Sequence, residues 1–214
     1  MNALTRRTCL TALLLATLPT LPGCFPIMVA GAGTTALMVA DRRSSGAIVE
    51  DEGLGLKVGN RIEERFRDKV HVNVTSYNRN VLLTGEAPDA ATRSELEQIA
   101  QGVPNVRGVT NEVQQAGISS VVSRSNDVYL TSKVKARFID ANKFPVYRIK
   151  VVTEASTVYL LGLVTQKEAD DAAQITSTTS GVQKVIRVFE YLTPVQAKEL
   201  DYRQQGTDVT QTKG

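Results

Sequence analysis

Side chains that build active sites are scarce in this chain of 214 residues, which holds one histidine (His71), two cysteines (Cys9 and Cys24) and no tryptophan. A zinc site gathers three or four His, Cys or carboxylate ligands, and a nucleophile needs a base beside it. His71 alternates with Val70 and Val72 onto the polar face of an expected strand, and no second histidine exists to share a metal. It reads as a surface residue. The pairs Glu63-Glu64 and Asp170-Asp171 fall on expected helices, where neighbours point about 100° apart and make poor acid-base partners. No phosphate-binding glycine loop is visible either. These absences argue against an enzyme, a cofactor, a metal or a small-molecule substrate. What the residues favour is electrostatic chemistry: the segment 132–150 carries Lys133, Lys135, Arg137, Lys143, Arg148 and Lys150 against Asp140 alone. A net charge of +3 is nevertheless too small for a nucleic-acid-binding protein.

Cys24 has its own context. Residues 1–23 carry Arg6 and Arg7, an apolar run from Leu10 to Leu18 and then Leu21-Pro22-Gly23, the order of an export signal. The apolar run is too short to span a bilayer and is interrupted by Pro19 and Pro22. Leu-Pro-Gly-Cys resembles the bacterial lipobox, which implies cleavage before Cys24, a diacylglycerol on its sulfur and acylation of its new amino group. The Thr5-Arg6-Arg7 start also fits twin-arginine export. Multiple acyl chains anchor stably, since each buried methylene contributes about 0.8 kcal/mol. Phe25 follows the cysteine, and by resemblance to lipoprotein sorting rules this implies the periplasmic face of the outer membrane. Both cysteines are thereby removed from disulfide chemistry. Without residues 1–23 the chain has 191 residues and a net charge of +1.

The remaining chain must supply the elements that position the basic run. Residues 24–47 are expected to form an Ala/Gly-rich linker ending in the polar Asp41-Arg42-Arg43-Ser44-Ser45-Gly46. Residues 194–214 read as a polar tail, disordered from Asp201 onward. Between them lies an internal repeat. At an offset of 77, Val81-Leu82-Leu83-Thr84-Gly85 falls on Val158-Tyr159-Leu160-Leu161-Gly162, and Val72-Asn73-Val74 on Ile149-Lys150-Val151. Apolar spacings of four mark a helix in each copy, with Val58, Ile62 and Phe66 set against Leu130, Val134 and Phe138. That alignment implies five extra residues in the second copy, around 142–145. A hairpin, a second helix starting at Pro88-Asp89 or Gln166, a Gly102 or Gly181 stop and a last strand follow. Gly85 and Gly162 are expected to relieve crowding beside the hairpin. The fold is α+β: two tandem domains at 48–116 and 126–193, joined by a linker at 117–125. Each is helix-strand-strand-helix-strand, with two helices on one face of a three-stranded mixed sheet.

This order, the Leu-x-Gly hairpins and the Gly-Val-x-x-Val endings (Gly102 to Val106, Gly181 to Val185) resemble the BON domain, named for bacterial OsmY and nodulation proteins. A lipobox followed by two such domains resembles dual-BON outer-membrane lipoproteins associated with division and envelope stress. The resemblance rests also on Asp41-Arg42-Arg43-Ser44, Asn73-Val74-Thr75-x-Tyr77, Asn111-Glu112, Ser125-Asn126-Asp127 and Gly162-Leu163-Val164-Thr165. It implies a non-enzymatic, lipid-anchored protein that binds anionic phospholipid through its second BON domain and preserves envelope integrity, partly at division sites. The residues independently show an electrical divergence: residues 50–115 sum to −3 and residues 126–192 to +2. On the second copy's first helix Tyr129 projects away from the core stripe, with Lys133 between them. An exposed aromatic among cations suits a headgroup layer. Tyr129, Lys133, Lys135 and Arg137 are therefore the expected phospholipid contacts, with Phe144 as a second apolar contact. The competing expectation is an adaptor whose acidic first domain or free sheet edge recruits envelope or division proteins.

Overall fold

The computed structural model describes residues 41–211; the export signal and Cys24 lie outside them. Each copy opens on a long helix, α1 (Ser45–Phe66) and α3 (Val121–Ala141). Both are capped by a serine hydroxyl, Ser44 accepting from the Ala47 amide and Ser120 from the Ser123 amide. The boundaries differ from expectation. Ser45 and Gly46 are already helical, and α3 absorbs most of the expected 117–125 linker.

In the first copy a hairpin of β1 (His71–Tyr77) and β2 (Asn80–Ala87) leads to α2 (Ala90–Gln101), then to β3 (Gly108–Asn111) and the short β4 (Gln114–Gln115). β2 is central, antiparallel to β1 and parallel to β3 and β4, so the expected last strand is broken at Glu112-Val113. The second copy repeats this as β5 (Lys150–Glu154), β6 (Thr157–Thr165), α4 (Gln166–Ser177) and β7 (Lys184–Leu192), in the order β5-β6-β7. α4 starts on a capping box in which the Thr165 hydroxyl accepts the Glu168 amide and the Glu168 carboxylate accepts the Thr165 amide.

The copies superpose in sequence one helical turn away from the expected alignment. The buried stripe of α1 is Asp51, Leu54, Val58 and Ile62; that of α3 is Asp127, Leu130, Val134 and Phe138, an offset of 76 throughout. The five-residue insertion shrinks to a single residue. Phe66, with no counterpart on α3, is matched in role by Phe144 from the following loop. The two aspartates explain the register. Both hairpin turns place two consecutive residues at positive φ, Asn78-Arg79 and Ala155-Ser156, the geometry that matches strand twist in a tight hairpin. Asp51 accepts the Asn78 and Arg79 amides at 2.7 Å, and Asp127 accepts those of Ala155 and Ser156 at 2.9 and 2.8 Å. Each turn is thus held by a buried carboxylate on the first helix of its own copy.

Helices cover one face of each sheet, and the opposite faces pack on each other. β6 shows why: its run Val158–Val164 sends Val158, Leu160 and Val164 to the helices and Tyr159, Leu161 and Leu163 to the other sheet, where they meet Tyr77 and Leu82. A strand buried on both faces shows no polar alternation. Polar bridges rim this apolar layer. Asn73 donates to Glu154 at 2.7 Å, Asn78 and Asn80 both donate to Glu190 at 2.9 Å, and Arg107 pairs with Glu190.

The tail is folded, contrary to expectation. Residues Pro194–Gln211 form α5, and Leu200 joins the core between the sheets. Asp41-Arg42-Arg43, expected as linker, is the clasp that holds it. Arg42, 4% exposed, donates to Glu168 at 2.7 and 3.2 Å, to Asp201 on α5 at 3.0 and 3.3 Å and to the Leu163 carbonyl at 2.9 Å. Arg43 forks onto Asp41, reaches Asp51 at 2.7 Å and lies 3.9 Å over the Tyr77 ring. One tripeptide ties both copies to the last helix.

Candidate functional site

The basic run 132–150 turns out to be mostly structural. Lys133 donates to the Ser180 carbonyl at 2.9 Å, and Arg137 to the Ile175 carbonyl and the Thr179 hydroxyl at 2.8 Å, so both satisfy groups at the end of α4. Cations at a helix C-terminus meet unpaired carbonyls and the negative end of its dipole. The first copy has the same device: Arg61, at the offset of 76 from Arg137, donates to the Gly102 carbonyl at 2.9 Å. Lys143 pairs with Asp171, Arg148 with Glu168 and Asp201, and Lys150 is half-buried with its ammonium 3.5 Å from the Ser76 carbonyl. Burial pushes the Lys150 pKa down. Of the six cations, Lys135 stays exposed with no partner among the described residues.

Phe144 must be corrected as a membrane contact. It is 6% exposed, with its ring edge-on to Phe138 at 5.1 Å between centroids, and it closes the core below the end of α3. A loop phenylalanine three residues past a helix end is equally available to the core, and here the core takes it.

Tyr129 stands where its helical angle put it, 62% exposed, with Lys133 Nζ 5.9 Å from its ring. It is not alone. Val128, Ile139, Val121 and Val122 are also exposed, at 68, 64, 71 and 80%. At about 100° per residue these side chains share one side of α3, with Ser125, Ser132 and Ala136 between them and Lys133 and Lys135 on opposite flanks. Valine and isoleucine on this exposed face are a signal that the sequence offered, because at about 100° per residue they fall opposite the stripe of Leu130, Val134 and Phe138. Among the described residues no helix is long and apolar enough to cross a membrane, and no cluster suits a metal ion.

Behind α3, where the two copies meet, lies a polar seam. His71 is part of it and not a plain surface residue: its Nε2 is buried and unpartnered. Glu154 accepts from Asn73, and Glu86, also buried, accepts the Ser119 amide. Burial raises the Glu154 carboxyl above its ordinary value, against the opposing pull of the Asn73 amide, with the Glu86 charge adding to the rise. A carboxyl raised in the folded state contributes stability that is complete below its unfolded pKa and lost as pH rises through the folded one. Moving from pH 7 to 5 is thus expected to add stability through this group, and Glu154→Gln to flatten that part of the profile. Melting curves of both proteins at the two pH values check it.

The BON domain family matches residues 50–117 and 126–193, the two copies described above. The chain is 37% identical over 183 residues to the outer membrane lipoprotein DolP of Haemophilus influenzae, covering 85% of this chain and 95% of that protein. It is 30% identical to a 21 kDa hemolysin of Actinobacillus pleuropneumoniae, over 71% of this chain and 79% of the relative. With the osmotically-inducible protein Y of Escherichia coli it shares 28% over 65% of this chain and 72% of that one. Two helix-strand-strand-helix-strand copies, each matched by the same family, make this chain a member of the BON domain family.

Proposed function

We propose that this protein is a non-catalytic outer-membrane lipoprotein, acylated at Cys24 and facing the periplasm, whose second BON domain docks on anionic phospholipid through the outer face of α3. In this reading it contributes to envelope integrity, including at division sites. The Haemophilus influenzae relative, an outer membrane lipoprotein, supports the anchor and its membrane. The observation that carries the docking face is the contrast between the two copies. Buried positions and an arginine bound at the end of the second helix repeat at a fixed offset, whereas the outer face does not: Val121, Val122, Val128, Tyr129 and Ile139 stand where α1 has Ser45, Gly46, Glu52, Gly53 and Glu63. Lys135 stands where α1 has Gly59. Duplicated architecture explains what is shared, and an interface explains an apolar, cation-flanked face in one copy.

Aromatic and aliphatic groups at headgroup depth bury area, and each cation near an anionic surface adds about 1 kcal/mol. Lys135→Glu removes one such attraction and adds a repulsion, so binding of the unacylated Cys24→Ser chain to phosphatidylglycerol vesicles should weaken about 30-fold. Tyr129→Ser with Ile139→Ser should weaken it on phosphatidylcholine and phosphatidylglycerol alike, because the lost term is apolar. Cosedimentation at fixed ionic strength measures both. If either variant binds like its parent, the face is misassigned. α1 favours a second role in its own copy: Val49 and Leu56 are exposed beside Glu52 and Glu63, a surface that an anionic bilayer repels and a cationic protein segment fits.

A further inference from the structure

A polar cavity lies behind α3, in the seam between the two copies. A cavity of about 240 Å³ is lined by His71 and Asn73 from β1, Arg124, Asp127 and Val128 from α3, and Glu154 from β5. Two of its groups are unsatisfied. His71 Nε2 and Arg124 Nε are both buried and have no hydrogen-bond partner. A buried polar atom left unpaired costs about 1–3 kcal/mol, and two of them lie together at this wall. Other polar groups at this wall are engaged: Asp127 holds the hairpin turn, and Thr131 and Thr153 bond each other through their hydroxyls at 2.7 Å.

The charges define what fits. Glu86, Asp127 and Glu154 are all buried here, and Glu86 faces His71 across the β1–β2 pair. None of the three has an ion-pair partner among the described residues, and neither has Arg124. A purely anionic ligand would satisfy Arg124 but would stand against carboxylates; a purely cationic one would leave the arginine unpaired. Buried charge is tolerated when paired and hydrogen-bonded. We propose that this seam cavity binds a small zwitterion, with an oxyanion on Arg124 Nε and His71 and a primary ammonium on the free Glu154 oxygen, the chemistry of a phosphoethanolamine group. Val128 is shared between the cavity wall and the exposed apolar stripe of α3, so a headgroup could reach the site from a lipid surface docked there. The site stands without the membrane reading; only a lipid source for the headgroup rests on it.

His71 is the chain's single histidine, so its imidazole signals report on this cavity alone. The test is a titration of the full chain in nonionic detergent, followed by NMR of the imidazole. Phosphoethanolamine should move the His71 signals saturably, while phosphate, ethanolamine and phosphocholine, whose quaternary ammonium has no N–H to donate, should not when each is given alone at the same concentration. Arg124→Met should weaken the effect at least about tenfold while leaving the melting temperature within a few degrees. Glu154→Gln, which keeps the Asn73 contact, should weaken it too. No saturable shift, an equal response to phosphate alone, or full binding by both variants overturns the site. Vesicles of phosphatidylcholine with and without phosphatidylethanolamine then separate the sources: a His71 shift confined to the ethanolamine lipid assigns a headgroup, and a shift with the soluble compound alone assigns a free zwitterion. Phosphatidylglycerol cosedimentation of Arg124→Met, expected to equal that of the parent, keeps this site distinct from the docking face.

Discussion

Arg42→Ala is expected to destabilise the folded chain by about 3–5 kcal/mol, the range for removing one partner of a buried ion pair. The guanidinium is nearly inaccessible and holds two carboxylates and one main-chain carbonyl at once. Without it Glu168 and Asp201 are two partly buried carboxylates bridged by Arg148, which is itself partly exposed. Burial by itself would raise the Glu168 pKa, but hydrogen bonds from Arg42, the Thr165 amide and Arg148 overcome it and bring the carboxyl from 4.5 down to about 2. A carboxyl depressed in the folded state gives stability that is present above its unfolded pKa and lost as pH falls through the folded one. The parent should therefore lose this contribution between about pH 4.5 and 2, and the gap between parent and variant should narrow over the same interval. Urea unfolding at pH 7 and pH 3 reads both effects. Arg42→Lys keeps the charge without the fork and should recover part of the loss. A difference below about 1 kcal/mol at pH 7 would remove the clasp as an explanation of why the tail is folded.

The second large effect belongs to Gly85. Its φ is +115°, and a Cβ there would sit 2.0 Å from the His71 carbonyl oxygen, which is strand backbone and cannot rotate away. Gly85→Ala should separate β1 from β2 around the Val72–Gly85 pair and cost about 3 kcal/mol or more. Gly162, its counterpart, would bring a Cβ to 2.6 Å from the Arg148 carbonyl without a positive φ, so its alanine variant should lose less. Gly53 is the opposite case. It lies in the interior of α1, and an added Cβ meets nothing within 4 Å. Gly53→Ala should stabilise the chain by about 1 kcal/mol, the difference in helix propensity. Thermal melts of the three variants give the order, and a harmless Gly85→Ala would contradict the register of the first sheet.

The repeat was legible because burial in helices and strands leaves periods of four and two in the sequence. Its helical alignment slipped by one turn for the same reason: Leu54, Val58, Ile62 and Phe66 form an unbroken ladder of four-residue steps, and any rung fits the next. Asp51 and Asp127 would have fixed the rung. A polar residue on a core stripe looks like an error in hydropathy, yet it is the turn anchor of each copy. Tyr129 was legible from angle alone. The fates of Lys133, Arg137 and Phe144 were not, since whether a side chain meets solvent, a helix end or a second ring depends on elements about 40 residues away or on how a loop closes. The last helix was invisible for a related reason. Few of its residues are apolar, and its place is set by an arginine 159 residues earlier.

That separation makes the clasp a matter of timing. Asp41-Arg42-Arg43 opens the described residues, but two of its partners, Glu168 and Asp201, lie 126 and 159 residues further along the chain from Arg42. Joining ends so far apart closes a very long loop, which favours a late step after the nearer contacts have formed. The clasp should then be absent from the folding transition state, so breaking it accelerates unfolding and leaves the folding rate nearly unchanged. Arg42 would act as a brake on opening, setting how long the finished chain stays shut rather than how quickly it is made.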